Sequence, residues 1–594
     1  MGADHSHDHD HDHMHSHDDG RDHDHAHDED LAGEMPAVFD PSVDDREMPP
    51  SAVGRRSFLR AAGLLGGTAA AASVFGLPAA AAERIASGRA SIDPDRDGET
   101  ERADRGDPSG SKMLWLAGDH HIHTQYSPDA QYRIMQQVGH ASIFGLDWMV
   151  ITDHGGVDHA RIGVDRTYPD IVAARDAYDD MLVFQGFEWN IPAAEHGTVF
   201  VAPLAKAGRS EMDVLKAFEN AFDGTVNGWG ASTLANEQHA LDALTWLAAQ
   251  VDGGTVPGAL FLANHPARKG IDSPHEIRGW RDIAPGIAIG MEGAPGHQAA
   301  GIKAPFGTGS GRGFYDNSPT ANSFAGYPLE SYRTYGGFDW MTAVVGGLWD
   351  SLLAEGKGWW ITANSDSHQV HNDTFVQNPP FVDGRYGDPI DSLKPQADFG
   401  DFFPGYYSRT HVGSRSRSYL AVMAGLRNGR VWVGHGDLIE GLRVTARASE
   451  DDKAATLGGT LAVEQGKRVT LRIEIDTTAG INFNGDSPRL RRVDVIVGKV
   501  TGPVSNSDSF TTPDTKVVKS YDIDQQTGTI VIDHDLGKTD GPYYVRLRGH
   551  DGNFAGAATA ADPTPPRIDP LGDANPWADL WFYTNPVFVL TKRS

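Results

Sequence analysis

Short apolar runs alternate with helical stretches through the middle of the chain. Seven runs have the length of strands: Leu114–Ala117, Trp148–Ile151, Leu182–Phe187, Thr198–Val201, Leu260–Ala263, Ile287–Met291 and Trp359–Thr362. Helical periodicity predicts helices over Asp213–Phe222, Asn236–Gln250 and Phe338–Ala354. This alternation is typical of an α/β protein built on a parallel sheet or barrel.

The pattern changes near residue 441. Apolar and polar residues then alternate in the runs Arg468–Asp476, Arg491–Val497, Thr529–Ile532 and Tyr543–Arg548. Strict alternation indicates strands with one buried face, so residues 441–594 are predicted to form an antiparallel β domain of sandwich type. Within the α/β region, before its last apolar run, Gly293–Asp339 is rich in glycine, proline and aromatic residues. A connection this long is usually functional, which predicts a lid or a substrate wall.

The first 111 residues divide into three segments. Residues 1–53 begin with a tract of aspartate and histidine, which is low in complexity and cannot bury a core. We interpret it as a solvated leader, as an upstream extension if Met48 is the true start, or as a weak metal-scavenging tail. Residues 54–82 carry Arg55 and Arg56 before apolar and small residues, and resemble a twin-arginine signal peptide that is cleaved near Ala82. Residues 83–111 are predicted to be a polar linker.

The signal predicts export by the twin-arginine machinery to the periplasm, the cell wall or the medium. Its apolar part is rich in glycine and alanine, so we expect no stable membrane span after cleavage, although a short anchoring or core helix is an alternative.

Length, charge and cysteine content limit the number of domains, the class of partner and the kind of metal ligand. At 594 residues the chain is too long for one compact domain, and its net charge of -30 argues against nucleic acid as the main partner. The chain has no cysteine, so any metal must be bound by histidine and carboxylate groups.

Five polar clusters each follow an apolar run: Asp119–His123, Thr152–His154, Gly186–Glu188, Asn264–Pro266 and Ser365–His368. Residues at the carboxyl ends of parallel strands converge on one face of a barrel, so these clusters are expected to share one pocket. His121 and His123 lie two apart, and in extended backbone such residues point to the same side. Two imidazoles aimed at one point form half of a metal site.

The motifs DHHIHTQYSPDA, ITDHG, GFEWN, ANHP and ANSDSH, taken in order, resemble the PHP superfamily of metallohydrolases, named after polymerase and histidinol phosphatase. The resemblance implies a distorted (β/α)7 barrel over residues 112–440 and two or three divalent ions. Zinc, manganese and iron all accept histidine and carboxylate ligands.

By motif, the resemblance implies a first metal site formed by His121, His123, Glu188 and Asp366. Glu188 would bridge to a second site completed by His196 and His265. A third site would use Asp129, His154 and His368. Asp119 and Asp153 would orient the ligand imidazoles from behind.

The resemblance also bears on substrate. Arg268, His297 and Arg312 are candidate substrate-binding residues, the arginines through a phosphate oxygen. Arg312 lies in a glycine-rich stretch that is expected to be flexible, so it would reach the substrate on closure; a solvated side chain is the alternative for both arginines. His297 would line the pocket from the long connection, with a supporting or structural role as the alternative. EGAPGH at Glu292–His297, GHGDLI at Gly434–Ile439 and WFYTNPVFV at Trp581–Val589 resemble the carbaryl-hydrolase-type branch. We therefore expect a metal-dependent hydrolase of small-molecule esters, first a phosphoesterase and alternatively a carboxyl-ester, carbamate or amide hydrolase. A non-catalytic metal-binding protein is the third hypothesis.

Overall fold

A computed structural model describes residues 113–203, 211–315, 318–377, 381–382, 384–448, 453–554 and 556–592. The predicted leader, signal peptide and linker lie outside the described residues and stay predictions. Among the described residues, no helix is both long and apolar enough to cross a bilayer.

The first seven strands coincide with the seven apolar runs. They are β1 (Leu114–Asp119), β2 (Trp148–Ile151), β3 (Leu182–Asn190), β4 (His196–Val201), β5 (Ala259–Ala263), β6 (Ala288–Ala294) and β7 (Trp360–Ala363). They lie side by side in chain order. Every residue of β2, β5, β6 and β7 is buried, which explains runs that are apolar throughout rather than alternating.

The sheet is mixed, whereas the sequence predicted a parallel one. Strand β4 runs antiparallel to both β3 and β5, while the other neighbours among β1–β7 are parallel. The reason is the short connection between β3 and β4, residues 191–195, because a parallel crossover needs about a dozen residues or more.

The helices lie mainly between these strands. They are α1 (Ile134–Ile143), α2 (Val164–Ala177), α3 (Glu211–Phe222), α4 (Gly224–Asn227), α5 (Leu234–Asp252), α6 (Pro274–Ile283), α7 (Trp340–Ala343), α8 (Leu348–Leu353) and α9 (Tyr419–Arg427). Helix α6 begins with a capping box in which Ser273 and Glu276 bond each other's backbone amides. The single helix predicted over Phe338–Ala354 is wrong, because it is interrupted at Gly346, whose φ of 79° no helix accommodates.

The remaining strands are β8 (Phe375–Val376), β9 (Ile390–Asp391), β10 (Ser408–Ser414), β11 (Val431–His435), β12 (Ile439–Arg447), β13 (Thr460–Glu464), β14 (Arg468–Thr477), β15 (Arg492–Lys499), β16 (Thr515–Asp522), β17 (Thr529–Lys538), β18 (Tyr543–His550), β19 (Trp581–Thr584) and β20 (Val587–Lys592). Strand β10 pairs antiparallel with β1, β11 with β10, and β19 with β11. The main sheet therefore continues across residue 440, where the sequence predicted a domain boundary.

A second sheet of three antiparallel strands, in the order β12-β14-β17, forms another layer in the C-terminal region. Strand β14 alternates buried and exposed residues, as predicted for one buried face. Its buried Leu471 and Ile473 belong to one hydrophobic cluster with Val495 of β15 and Leu547 of β18. The two sheets thus share a core.

The long connection Gly293–Asp339 packs against the C-terminal region. Thr334 donates a hydrogen bond through Oγ1 to Asp569 (2.8 Å), and the backbone amide of Gly337 donates to the same carboxylate (2.9 Å). Part of the segment that was predicted to be a lid or substrate wall is therefore fastened to residues near the end of the chain.

Candidate metal centre

The polar motifs lie near the ends of neighbouring strands. Asp119 ends β1, and Glu188 lies in the last part of β3. Ile122 and Ser367 form a parallel bridge, and the backbone amide of His123 donates to the carbonyl of Ser367 (3.1 Å). The segment after β7 therefore lies beside the segment after β1, although about 240 residues separate them in the chain.

His121 and His123 point to the same side, as their spacing predicted. Their Nε2 atoms are 3.0 Å apart. His120, one position out of phase, points elsewhere, and its Nε2 lies 2.8 Å from the hydroxyl of Thr362. The alternation of extended backbone therefore selects which two of the three consecutive motif histidines face the cluster.

The buried carboxylate of Glu188 is the centre of the cluster. Within 3.6 Å of its oxygens lie ring nitrogens of five histidines, at 3.2 Å for His121, 3.6 Å for His123, 2.6 Å for His154, 3.0 Å for His196 and 3.2 Å for His265. The amide nitrogen of Asn264 donates a further bond to Oε1 at 3.2 Å.

Asp366 adds a second carboxylate to this group. Its Oδ1 lies 3.1 Å from Nε2 of His121 and 3.2 Å from Nε2 of His123. Three of the four residues that the resemblance assigns to the first site, His121, His123 and Asp366, therefore present donor atoms to one small volume, as a shared cation would require.

A neighbouring group contains Asp129, His154 and His368. Nε2 of His154 lies 3.3 Å from both Oδ1 of Asp129 and Nε2 of His368. His154 also approaches Glu188 through its Nδ1, so its ring joins this group to the central carboxylate. The side chains of His154 and His196 are about one quarter exposed, whereas His121, His123 and Glu188 are buried. Solvent therefore reaches the cluster from the side of His154 and His196.

Hydrogen bonds behind the cluster determine which nitrogen of His123 faces inward. Ser127 donates through Oγ to Asp153 (2.8 Å), so the same oxygen accepts from Nδ1 of His123 (3.0 Å). With its proton on Nδ1, the imidazole turns an unprotonated Nε2 toward the cluster. Asp153 thus acts on His123 through Ser127 rather than by direct contact.

Asp119 differs from its expected role. Its two oxygens accept hydrogen bonds from the backbone amides of His121 and Ser365, both at 3.0 Å. It therefore fixes the backbone of two motifs and orients no imidazole directly. Burial raises the pKa of Asp119 to about 7, against the effect of its hydrogen bonds with Ser365 and His121.

Glu292 is a supporting residue that the sequence interpretation missed. Its Oε1 lies 2.6 Å from Nδ1 of His121, and its Oε2 accepts the backbone amide of His265 (2.6 Å). A carboxylate on the outer nitrogen of a ligand histidine fixes the tautomer and raises the basicity of the inner nitrogen. Glu292 lies near the carboxyl end of β6, so the rule used for the other strand ends would have indicated it.

Backbone strain accumulates in the same place. His265, His297 and Asp366 have positive φ values of 30°, 52° and 47°. Residues other than glycine rarely adopt this region, and such conformations persist where the surroundings fix them, often at functional sites.

Neighbouring charges set opposite pKa shifts within the cluster. Burial alone lowers the pKa of His121, but Asp366, Glu188 and Glu292 outweigh it and raise the pKa well above its usual value. Burial, His368 and His154 together lower the pKa of His123 well below its usual value. Burial raises the pKa of Glu188 and Asp366, yet nearby imidazoles hold both pKa values well below the usual range. Both carboxylates are thus ionised over the physiological range.

The donor set fits divalent metal ions. Imidazole nitrogens and carboxylate oxygens are ligands that zinc, manganese and iron accept. Glu188 Oε2 and Asp366 Oδ1 are buried and accept no well-aligned hydrogen bond, although Nδ1 of His154 lies 2.6 Å from the first and Nε2 atoms of His121 and His123 lie 3.1 and 3.2 Å from the second. The Nε2 atoms of His121 and His123, which face each other at 3.0 Å with these carboxylate oxygens beside them, form an arrangement that a cation would complete.

The candidate substrate-binding arginines have different environments. Arg268 follows His265 closely, is largely buried, and lies 3.8 Å from Glu195. Burial lowers the pKa of its guanidinium, but the negative charges of Glu195, Asp366 and Glu188 outweigh this effect and raise the pKa. Its Nε has no hydrogen-bond partner. It is therefore beside the cluster, as expected.

Arg312 does not meet the expectation of a mobile residue that closes over a substrate. Its side chain is completely buried, and it donates to Gln298 and to the hydroxyl of Tyr407, both at 2.6 Å. Its Nη1 lies 3.7 Å from both Asp569 and Asp579. The glycine-rich sequence around it indicated flexibility, but the carboxylates that hold it come from the far end of the chain.

The comparisons with known proteins give one family. Residues 119–251 match the model of the PHP domain family. The match begins at Asp119 and includes three of the five motifs from which the resemblance was inferred. No curated protein sequence matches the chain. The matches give no support for the carbaryl-hydrolase-type branch in particular.

Two solved structures show distant likeness. One is a two-domain protein from Bacteroides vulgatus containing a predicted PHP-like metal-dependent phosphoesterase, with 15% identity and a TM-score of 0.28, covering 79% of this chain and 98% of that one. The other is a chitin-binding domain from Burkholderia pseudomallei, with 11% identity and a TM-score of 0.12, covering 22% of this chain and 57% of that one. Likeness at these TM-scores establishes neither a fold nor a function.

Proposed function

We propose that this protein is a metal-dependent hydrolase, and specifically a phosphoesterase of small phosphate esters. The observation that carries the proposal is the position of Glu188, a buried carboxylate within 3.6 Å of five imidazoles. The match of residues 119–251 to the PHP domain supports it.

The proposed ligands follow the three groups of side chains. His121, His123, Glu188 and Asp366 would hold one ion, and Glu188 with His196 and His265 a second. Asp129, His154 and His368 would hold a third. Bound divalent ions would supply Lewis-acid activation of water and of a phosphoryl oxygen.

The residues around the cluster have separate tasks in this proposal. Glu292 and Ser127 would accept the protons on Nδ1 of His121 and His123, which leaves the Nε2 atoms for the metal. Arg268 donates to a non-bridging phosphate oxygen and offsets its negative charge. Water attacks phosphorus, and the ester oxygen leaves as an alcohol after taking up a proton.

The same proposal includes a distorted (β/α)7 barrel, a C-terminal β-sandwich-like domain and export of the protein. The bridge between Ile122 and Ser367 supports curling of β1–β7 into a distorted (β/α)7 barrel. The shared core of the two C-terminal sheets supports a β-sandwich-like domain. Export through the twin-arginine machinery rests on the sequence of residues 54–82 alone.

The test measures hydrolysis of aryl phosphate monoesters and diesters beside aryl acetates and aryl carbamates. The full chain is stripped of metal with a chelator and reloaded with zinc or manganese. Asp366→Ala is the site variant. His239→Ala is the matched control, because this half-buried histidine stacks on Trp229 and lies outside the cluster.

We expect phosphate-ester turnover that requires metal, is lost in Asp366→Ala and is kept in His239→Ala. Turnover of carboxyl or carbamate esters alone would replace the phosphoesterase with the alternative hydrolase on the same site. Metal binding without turnover of any ester would favour the non-catalytic hypothesis. Equal turnover in stripped and reloaded protein would defeat the metal-dependent reaction altogether.

A further inference from the structure

His297 lies between two buried carboxylates at the edge of the cluster. Its Nε2 is 2.7 Å from Oδ2 of Asp366, and its Nδ1 is 2.5 Å from Oδ1 of Asp401. The other oxygen of Asp366, Oδ1, faces the Nε2 atoms of His121 and His123. The two oxygens of Asp366 are therefore divided between two partners, with His297 on one side and the imidazole pair on the other.

Asp401 is itself fixed in place. Its Oδ2 accepts hydrogen bonds from the backbone amides of His368 (2.6 Å) and Gln369 (2.8 Å). These bonds leave its Oδ1 pointing at His297 and set the direction of the imidazole ring. Asp401 comes from the long connection between β7 and β10, and nothing in its sequence surroundings indicated a role.

The backbone around His297 is also pressed against Asp366. A Cβ atom at Gly296 would lie 2.1 Å from Cβ of Asp366, so no side chain fits there. The amide of His297 donates to the carbonyl of Ser365 (3.2 Å). The strained φ values of His297 and Asp366 occur where these contacts hold the two segments together.

We propose that Asp401 and His297 form a positioning pair that fixes the carboxylate of Asp366 for the metal centre, an inference that rests on the proposed function. The pair binds Oδ2 of Asp366, so that Oδ1 alone is directed at the space shared with His121 and His123. His297 is then a positioning residue rather than the substrate-binding residue that the sequence led us to expect. Loss of such an outer partner typically weakens metal affinity by about 10- to 100-fold.

The experiment measures zinc affinity by chelator competition and metal content at saturation. It uses the full chain and the variants His297→Ala, His297→Gln, Asp401→Asn and the double variant His297→Ala/Asp401→Asn, with His239→Ala as the control. The amide nitrogen of glutamine can take the place of Nε2 and donate to Asp366. Circular dichroism confirms that each variant is folded.

We expect His297→Ala to weaken the tightest site by about 10- to 100-fold at unchanged metal content. His297→Gln should restore much of this loss. The double variant should lose less than the sum of the two single losses, because both substitutions break the same contact chain. If His297 had only a structural role, glutamine would not restore zinc affinity, and the losses of the two single variants would add in the double variant.

Three results would contradict parts of this scheme in distinguishable ways. If His297→Ala and Asp401→Asn bind zinc as tightly as His239→Ala, the positioning pair does not exist. If His297→Ala and His297→Gln both lose one whole equivalent of metal, His297 is a direct ligand and the positioning role is wrong. If the wild-type chain binds no divalent ion, the proposed function fails, and the inference fails with it.

Discussion

Two regions of this molecule bury charged groups, and they treat them differently. Around Glu188, five imidazoles converge, and one buried oxygen each of Glu188 and Asp366 lies beside imidazole nitrogens without a well-aligned hydrogen bond. At the contact between α8 and β18, Asp350 faces Arg546, and both oxygens of Asp350 are satisfied. Oδ1 accepts from Nε of Arg546 (2.9 Å) and from Tyr544 (2.9 Å), and Oδ2 accepts from Nη2 of Arg546 (2.8 Å) and the amide of Gly346 (2.7 Å).

The difference in hydrogen bonding indicates that the two groups of buried charges have different roles. A buried charge whose partners are complete holds elements together, and removal of one partner is strongly destabilising. A buried carboxylate oxygen that lies beside imidazole nitrogens without a well-aligned hydrogen bond can instead take a cation as its partner. The Asp350 pair thus joins α8 to β18, while the Glu188 cluster has the arrangement of groups from which metal binding is proposed.

The largest effect is expected for Glu188→Gln, which removes the central charge and keeps the shape of the side chain. Turnover of the phosphate ester should fall by at least about three orders of magnitude, because the metal centre supplies most of the acceleration, which in enzymes is typically ~10⁶-fold or more. Metal content should fall as well. Initial rates and metal analysis of the purified variant check this. Turnover at the wild-type rate in the variant would contradict the assignment of Glu188 as a metal ligand.

The next effect is on stability rather than on turnover. Asp350→Ala leaves Arg546 buried without its carboxylate, and should lower the free energy of unfolding by about 3–5 kcal/mol. Denaturant unfolding measures this, with Asp522→Ala as an exposed control. Zinc affinity of the folded variant should be unchanged; a loss of affinity comparable to that of His297→Ala would remove the contrast between the two regions.

A third buried carboxyl lies between these extremes and predicts a pH effect. Glu276 Oε2 accepts from the capping box with Ser273, whereas Oε1 is buried without a partner, and burial raises the pKa of Glu276 from 4.5 to about 7. A raised pKa favours the protonated folded state, so its stabilising contribution is complete below pH 4.5 and is lost as the pH rises to about 7.

Glu276→Gln keeps the capping box and removes this titration. The stability of the wild type relative to the variant should therefore decrease between about pH 4.5 and 7, by up to about 3 kcal/mol if the whole pKa shift is expressed. Unfolding curves at several pH values measure the difference. Glu464→Gln, at an exposed position, is the control, and a constant difference across this range would contradict the prediction.

The smallest effect is expected at the surface. Arg443 on β12 contacts Glu474 (3.2 Å) and Asp476 (3.0 Å) of β14, with about half of its side chain exposed. Exposed ion pairs contribute little, so Arg443→Ala should lower the free energy of unfolding by less than about 1 kcal/mol. A loss as large as that of Asp350→Ala would show that burial is not what separates the two kinds of ion pair.

The sequence was sufficient for several features because each depends on local spacing. Strands β1–β7 were visible as apolar runs, since strands buried on both faces need apolar residues throughout. The common direction of His121 and His123 followed from the two-residue period of extended backbone. Glu188 and Asp366 were found because their motifs follow apolar runs, as expected at strand ends.

Other features were decided only by the tertiary structure. Strand β4 is antiparallel because of one short connection, and the main sheet crosses the predicted boundary because β19 returns to pair with β11. Arg312 was predicted to be mobile and is buried, since its carboxylate partners come from more than 200 residues away. Asp401 reaches His297 across more than 100 residues. The spacing of apolar and polar residues depends on the geometry of a single helix or strand, so it can be read from the sequence. The partners of a buried charge depend on how the whole chain folds, because they come from distant segments.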